Sequence, residues 1–184
     1  MNKLSSVKKI TITAVCIALC CVLPMAFHAF GLEHAFSPMH IPVLLCGLVC
    51  GPWHGIFCGI AGPILSSLIT GMPPAAGLIG MVPELAIYGF IAGLLMKLVR
   101  TKRLFADLYI ALGAAMVAGR IAGGIAKALF YLGNGNTYSI GIWATGYFVN
   151  AVPSIICHLI VVPLLVFMLI KAKLIPARYA KETA

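Results

Sequence analysis

The sequence predicts an all-α integral membrane protein, a compact six-helix bundle forming one domain over residues 1–184, with both termini cytoplasmic. Of its 184 residues, 62% are hydrophobic and 9% are charged, whereas a soluble domain needs about a quarter charged to cover its surface. The mean hydropathy of +1.08 agrees. Several apolar runs reach about 20 residues, the length that a helix needs to cross a bilayer core about 30 Å thick.

Four long apolar segments are predicted to be transmembrane helices. They lie at about residues 9–28, 79–97, 104–132 and 140–170. The first is longer than a signal-peptide core, lacks a small-residue cleavage site and is followed by further apolar segments, so we interpret it as a retained helix.

The apolar stretch between these helices is too long for one straight span. Gly51-Pro52 interrupts it, because proline ends or kinks a helix and glycine favours a turn. We therefore predict two helices here, at about residues 38–51 and 54–70, and six crossings in all.

The basic residues support two crossings over one in this stretch. Two crossings place three basic clusters in the cytoplasm, as the positive-inside tendency requires, whereas one crossing would put the middle cluster outside. The net charge of +9 is therefore attributed to membrane orientation and not to nucleic-acid binding. The clusters hold eleven of the thirteen Lys and Arg: Lys3, Lys8 and Lys9; Lys97, Arg100, Lys102 and Arg103; and Lys171, Lys173, Arg178 and Lys181.

The outer connections are expected at about residues 29–36, 71–78 and 133–139. The first two are rich in Gly, Pro, His and Met, so they can either fold over an outward-facing pocket or form simple turns. His28, His34 and His40 match no standard ligand spacing, so no metal site or cofactor is predicted. The seven Cys contain no C-x-x-C pair and are predicted to be buried thiols.

Small residues recur at four-residue spacing, which in a membrane lets helices approach closely. The glycine sets are Gly47, Gly51, Gly55 and Gly59; Gly89 and Gly93; and Gly119 and Gly123. Ala14 and Ala18 form a similar pair on the first helix, where spacing alone favours packing inside the bundle.

Two basic residues and one acid lie deep within the predicted helices, where a charge is costly and must face the protein interior or a wet cavity. Glu84 and Lys127 each lie about five residues from the outer end of their helix, so they can pair. Arg120 lies seven residues before Lys127, on nearly the same helical face and about two turns deeper. One acid therefore faces two bases.

The last predicted helix adds a polar and aromatic stripe within a sector of about 80°. Its members are Trp143, Tyr147, Asn150, Ser154 and His158. Glu84 and Tyr88, four residues apart, can join it. The functional interpretation is a solute pocket in which Arg120 or Lys127 attracts an anionic group; the alternative is a structural polar seam with a Glu84–Lys127 ion pair.

Several of these segments resemble the substrate-binding S components of energy-coupling factor (ECF) vitamin transporters. The resemblance extends over nearly the whole chain, including its length and basic ends. The residues that carry it are His40 to Gly47, Gly51-Pro52, Gly55, Gly59, Pro63, Ser66-Ser67, Gly71 to Pro74 and Glu84 to Gly89.

The resemblance implies a bacterial cell-membrane protein that captures a vitamin at the outer face, beneath the first and third loops. His40 is counted with the polar residues above as a candidate contact of that vitamin. A transmembrane coupling subunit and two ATPases would be its partners, with Ala14 and Ala18 docking on the coupling subunit. The chain looks most like the pantothenate-type or unassigned branches, although a carboxylate is common to several vitamins. It has no G-x-x-x-x-G-K-[ST] loop, so ATP hydrolysis is expected only in partner subunits.

The sequence also allows two other classes of function. A self-sufficient secondary carrier or channel needs its own coupling route, and so short a chain has no inverted repeat. An intramembrane enzyme could draw on Ser66, Ser67 and His158, but no catalytic signature surrounds them.

Overall fold

The computed structural model describes residues 4–31, 36–134 and 138–176, which form helices and no strand. In chain order the elements are α1 (Ser6–Ala29), α2 (His40–Cys50), α3 (Pro52–Thr70), α4 (Ala75–Leu98), α5 (Leu104–Gly133), α6 (Ile140–Ala144), a π-helical turn (Thr145–Val149) and α7 (Val152–Lys171). Among these, α1, α3, α4, α5 and α7 are long and apolar enough to cross a membrane, while α2 and the segment Ile140–Val149 are apolar but shorter. The predicted all-helical, membrane-type architecture is confirmed.

The chain reverses direction between α2 and α3. Gly51 ends α2 with a φ of +99°, and Pro52 occupies the first turn of α3. A Cβ built on Gly55 would lie 2.9 Å from the Cα of Gly47, whereas eight residues of one continuous helix span about 12 Å. Residues 40–70 are therefore two helices that pack against each other.

The basic clusters of α1, α4 and α7 lie at one end of the bundle, here called the basic end. Cys50 Sγ donates a hydrogen bond to the Lys9 carbonyl at 3.7 Å, a Cβ on Gly51 would lie 3.2 Å from Lys97 Cε, and the Phe105 and Phe167 rings lie 6.0 Å apart. These contacts join the start of α1, the ends of α2 and α4, the start of α5 and the end of α7. Lys3, Arg178 and Lys181 lie outside the described residues.

Glycines bring the backbones of α2, α3 and α4 into direct contact. A Cβ on Gly89 would lie 2.8 Å from the Cα of Gly55, and a Cβ on Gly47 would lie 3.0 Å from the Cα of Gly89. Real Cβ contacts are longer than this, so only hydrogen fits at these positions. The spacing of four thus marks contacts inside the bundle, as expected for small residues in membrane helices.

All seven cysteines are free thiols. Five of them are buried where α1, α2 and α3 meet, and their partners include the backbone carbonyls of Lys9, Met39 and His54. The predicted assignment as buried thiols is confirmed for these five: Cys16, Cys20, Cys46, Cys50 and Cys58.

The prediction of one continuous helix over residues 140–170 is wrong. The segment consists of α6, the π-helical turn and α7, and the Asn150 N–H donates to the Thr145 carbonyl, five residues back, at 2.9 Å. Pro153, in the first turn of α7, explains the interruption, because its ring has no N–H and would clash with the carbonyl of Val149 in a regular helix.

The glycine contacts predict that Gly89→Ala lowers stability. The added methyl overlaps the Gly55 backbone, and overpacking of this kind costs about 1–3 kcal/mol. Thermal unfolding of the purified protein in detergent measures the loss. Gly113→Ala is the control, because a Cβ at Gly113 meets no atom within 4 Å and alanine favours the helix by about 0.5–1 kcal/mol. Equal melting temperatures for the two variants would contradict the close contact.

Candidate functional site

Five polar side chains from α2, α4, α5 and α7 meet inside the bundle, and we call them the polar cluster. They are His40, Glu84, Tyr88, Arg120 and His158, and none is more than 7% exposed. His40 begins α2, whose other end reaches the basic end, and the other four residues lie in the interior of their helices. Buried polar groups persist where they bind one another or a ligand.

A chain of polar contacts orders three members of the cluster. Arg120 Nε donates a hydrogen bond to Tyr88 Oη at 3.0 Å, and Tyr88 Oη lies 3.0 Å from Glu84 Oε1. Because Tyr88 Oη accepts from Arg120, its own hydrogen is directed to Glu84. The Glu84 carboxylate is thereby held beside His40, whose Nε2 lies 3.6 Å from Glu84 Oε1.

The two histidines of the cluster share one backbone partner. Their rings stack with centroids 5.5 Å apart. The Ser37 carbonyl lies 3.1 Å from His40 Nδ1 and 3.3 Å from His158 Nε2. The segment before α2 thus ties α2 to α7 at the site. Sequence patterns give no signal for this contact, because the acceptor is a main-chain oxygen.

Glycines of α5 make room for the cluster. A Cβ on Gly119 would overlap the Tyr88 ring, and a Cβ on Gly123 would lie 3.0 Å from both Glu84 Cβ and Tyr147 Oη. The small residues that predict close helix contact therefore also allow α4 to place its polar side chains against the surface of α5.

Three aromatic side chains of α6 and the π-helical turn cover the cations, and we call Trp143, Tyr147 and Phe148 the aromatic cover. Trp143 Nε1 donates to the Arg120 carbonyl at 3.1 Å, and the Phe148 ring centroid lies 5.8 Å from Arg120 Cζ. Lys127 Nζ lies 4.9 Å from the centroid of Tyr147. Such cation–π contacts stabilise a buried charge. Sequence analysis missed Phe148, because two adjacent residues do not share a face in a regular helix.

The structure does not form the Glu84–Lys127 ion pair considered from the sequence. Glu84 meets Tyr88 and His40, while the Lys127 side chain lies against Gly80, one helical turn away from Glu84. Within the described residues, no carboxylate lies within 4.0 Å of a nitrogen of Arg120 or Lys127. The site therefore carries two cations that lack an acidic partner in the described part of the chain.

The predicted stripe on the last segment is only partly present. Tyr147, Ser154 and His158 are buried and Trp143 is half-buried, but Asn150 is exposed. The π-helical turn causes this, because it changes the number of residues per turn between Trp143 and Ser154. The Ser154 hydroxyl donates to the Ala151 carbonyl at 2.9 Å, so its hydrogen-bond donor is already paired with the backbone three residues earlier.

Other polar candidates lie apart from the cluster. The Ser66 and Ser67 hydroxyls donate to the carbonyls of Met72 and Pro73, each at 2.7 Å, and tie the 71–74 connection to α3. They make no contact with His158, so the Ser–His pairing considered for an enzyme does not form. Among the described residues no group of three or more His, Cys, Asp or Glu could hold a metal ion; His34, and the centres of the first and third outer connections, lie outside them.

An apolar cleft of about 240 Å³ opens beside the aromatic cover. It lies between the C-terminal half of α5 and the chain around α6, with Trp143 and Gly124 in its walls. Trp143 of the aromatic cover lines the cleft, but no residue of the polar cluster does. The cleft could therefore hold an apolar group, but it presents no charged side chain.

A comparison with known families decides what kind of protein carries this site. The family model described as ECF transporter, substrate-specific component, matches residues 8–166, which include the whole polar cluster and the aromatic cover. The chain belongs to this family. No curated protein and no solved structure matches the chain. An S component is a multi-pass membrane subunit that confers substrate specificity on a transporter, so this chain is a transport subunit and not an enzyme.

The hydrogen-bond chain predicts that Tyr88→Phe destabilises the S component. Loss of the hydroxyl leaves Arg120 Nε and Glu84 Oε1 without their shared partner, and an unsatisfied buried polar group costs about 1–3 kcal/mol. Melting temperatures in detergent report the loss. Tyr109→Phe, at an exposed position of α5, should melt like the unmodified protein, and identical behaviour of the two variants would contradict the chain of contacts.

Proposed function

We propose that this S component captures a small anionic micronutrient at the polar cluster, a water-soluble vitamin or a related compound. The observation that carries the proposal is the pair of cations, Arg120 and Lys127, without an acidic partner among the described residues. A charge inside the membrane costs about 2.5–3.5 kcal/mol on insertion scales, so it is normally matched by a partner. A carboxylate of the substrate supplies that partner.

Arg120 is the principal anchor in this proposal. Its Nε is engaged by Tyr88, which fixes the plane of the guanidinium, and its two terminal nitrogens donate to no described side chain. Two parallel N–H groups match the two oxygens of a carboxylate. Lys127 adds a second positive charge, and the aromatic cover contacts the apolar part of the substrate.

Pantothenate is the first candidate, because the chain resembles the pantothenate-type branch and pantothenate carries a carboxylate. Nicotinate, biotin, lipoate and folate share that carboxylate, so charge alone does not choose among them. Of the residues first considered for binding, Asn150 and Ser154 are omitted, because one is exposed and the other is bonded to its own helix.

The proposed setting is a bacterial cell membrane, crossed six times with both termini in the cytoplasm and with α2 as the second crossing. Three basic clusters at one end of the bundle support this orientation. The polar cluster then lies towards the outer face, where it meets solutes before transport.

We further propose that a transmembrane coupling subunit docks on α1, and that two ATPases supply the energy. ECF S components in general work with such partners, and this chain has no phosphate-binding loop of its own. Ala14 and Ala18 are exposed on α1, whereas Thr13, Cys16 and Cys20 face the bundle. The alanine pair is therefore available to a partner helix, as small residues at close helix contacts are.

The docking proposal predicts that Ala14→Trp or Ala18→Trp abolishes vitamin uptake by the assembled transporter. A large ring prevents close approach of the partner helix, while substrate binding by the purified S component stays unchanged because α1 contributes nothing to the polar cluster. Val15→Trp is the control, since Val15 is also exposed but points about 100° away from Ala14. Uptake by both alanine variants at the level of the control would contradict docking on this face.

The binding proposal predicts that Arg120→Ala weakens pantothenate binding about 10- to 100-fold, the value of a charge-assisted hydrogen bond to a carboxylate. Calorimetric titration of the purified S component, without ATP, measures the dissociation constant. Asn150→Ala should bind like the unmodified protein. Native mass spectrometry of the purified protein identifies any other small molecule that it carries, and unchanged affinity for that molecule in Arg120→Ala would refute the site.

A further inference from the structure

Two buried polar atoms at the site have no hydrogen-bond partner among the described residues. They are His158 Nδ1 and Tyr147 Oη. His158 is fully buried and Tyr147 is 9% exposed. Buried polar atoms are nearly always satisfied in native proteins, so a pair of such atoms at one site indicates a ligand that satisfies them.

The protonation of His158 follows from its other nitrogen. Nε2 lies 3.3 Å from the Ser37 carbonyl oxygen, which can only accept, so Nε2 carries the hydrogen. The ring stacks on His40, and no carboxylate among the described residues contacts it. A second proton would place an unmatched charge in a fully buried site. His158 is therefore neutral, and Nδ1 presents a lone pair.

The other members of the cluster already form hydrogen bonds within the protein. His40 Nδ1 donates to the same Ser37 carbonyl, Tyr88 donates to Glu84, and Arg120 Nε donates to Tyr88. Within the polar cluster, the groups left for a ligand are thus the terminal nitrogens of Arg120, which donate, and His158 Nδ1, which accepts. The Tyr147 hydroxyl can do either.

These groups lie close enough to contact one small molecule. The His40 ring lies 5.5 Å from the His158 ring and 5.3 Å from the Tyr88 ring, and the Tyr88 hydroxyl accepts from Arg120 Nε at 3.0 Å. Tyr147 Oη also lies beside Gly123, on the face of α5 that Arg120 shares. A ligand with an acceptor at one end and a donor elsewhere satisfies all of them, whereas a bare carboxylate leaves His158 Nδ1 unpaired.

We propose that the substrate is a carboxylate that also carries a hydroxyl or an amide N–H, and that this group donates a hydrogen bond to His158 Nδ1 while the carboxylate binds Arg120. The inference rests on the proposed function and narrows its substrate class. A site with a buried polar group rejects analogues that cannot pair with it far more strongly than an apolar pocket rejects a change in size.

Biotin and lipoate make a matched test of this proposal. Each has a five-membered sulfur-containing ring on a pentanoate chain, but only biotin has N–H donors on its ring system. Pantothenate, with hydroxyls and an amide, and nicotinate, with neither, form a second pair. Titration of the purified S component with all four compounds measures the preference. We expect the donor-bearing compound that binds more tightly to have at least 10-fold higher affinity than either donor-free compound.

The variant His158→Phe tests the role of the imidazole. It should reduce affinity for the donor-bearing compound at least about 10-fold more than it reduces affinity for the donor-free compounds. His54→Phe, on α3 near the basic end, is the matched control and should bind like the unmodified protein. If His158→Phe does not fold, the comparison of the four compounds on the unmodified protein decides alone.

The outcomes separate this inference from the function on which it rests. Equal binding of donor-bearing and donor-free carboxylates, or an equal loss of both in a folded His158→Phe protein, overturns the donor requirement and leaves anion capture intact. If the folded protein binds none of the four compounds, the proposed capture of these carboxylates is overturned. The donor requirement, which rests on that capture, is then overturned as well.

Discussion

The hydrogen bond between Arg120 and Tyr88 joins α5 to α4 where the described part of the chain buries an arginine side chain. It forms because Gly119 has no side chain to keep the Tyr88 ring away from α5. Once the bond is made, the Tyr88 hydrogen is directed to Glu84, and Glu84 in turn meets His40. Four helices are thereby tied to a single guanidinium, either directly or through neighbours.

The proposed binding site and the proposed docking face lie on different parts of the bundle. The polar cluster draws on α2, α4, α5 and α7, whereas α1 packs against α2 and α3 and turns Ala14 and Ala18 outward. A partner on α1 would therefore not touch a substrate at the cluster, and α2 both supplies a cluster residue and packs against α1. His40 begins α2 at the site, and Cys46 and Cys50 pack near α1 on the same helix.

The sequence was sufficient to predict an all-helical, membrane-type protein and to identify the ionisable residues that its interior must accommodate. Apolar runs predict membrane helices whatever their packing, and an ionisable residue in such a run, such as Glu84 or Arg120, must face the interior. The partner of Glu84 was not predictable, because depth along a helix says nothing about its rotation against a neighbour. Glu84 therefore meets Tyr88 and His40, while Gly80 faces Lys127.

Irregular backbone accounts for what else the sequence could not reveal. A stripe read at 3.6 residues per turn includes Asn150 and omits Phe148, but the π-helical turn exposes the first and brings the second to Arg120. The shared Ser37 carbonyl is likewise invisible to residue patterns, since every residue has a carbonyl and only the fold decides which one two histidines meet.

The indole of Trp143 binds the main-chain carbonyl of Arg120, while the Phe148 ring lies over the side chain of the same residue. The main chain of Arg120 therefore anchors the cover, and its side chain offers the charge beneath. A molecule that reaches the guanidinium from this side must first displace both rings, and must displace them again to leave. Association and dissociation by this route require the same displacement of the two rings. A slow off-rate would therefore be accompanied by a slow on-rate.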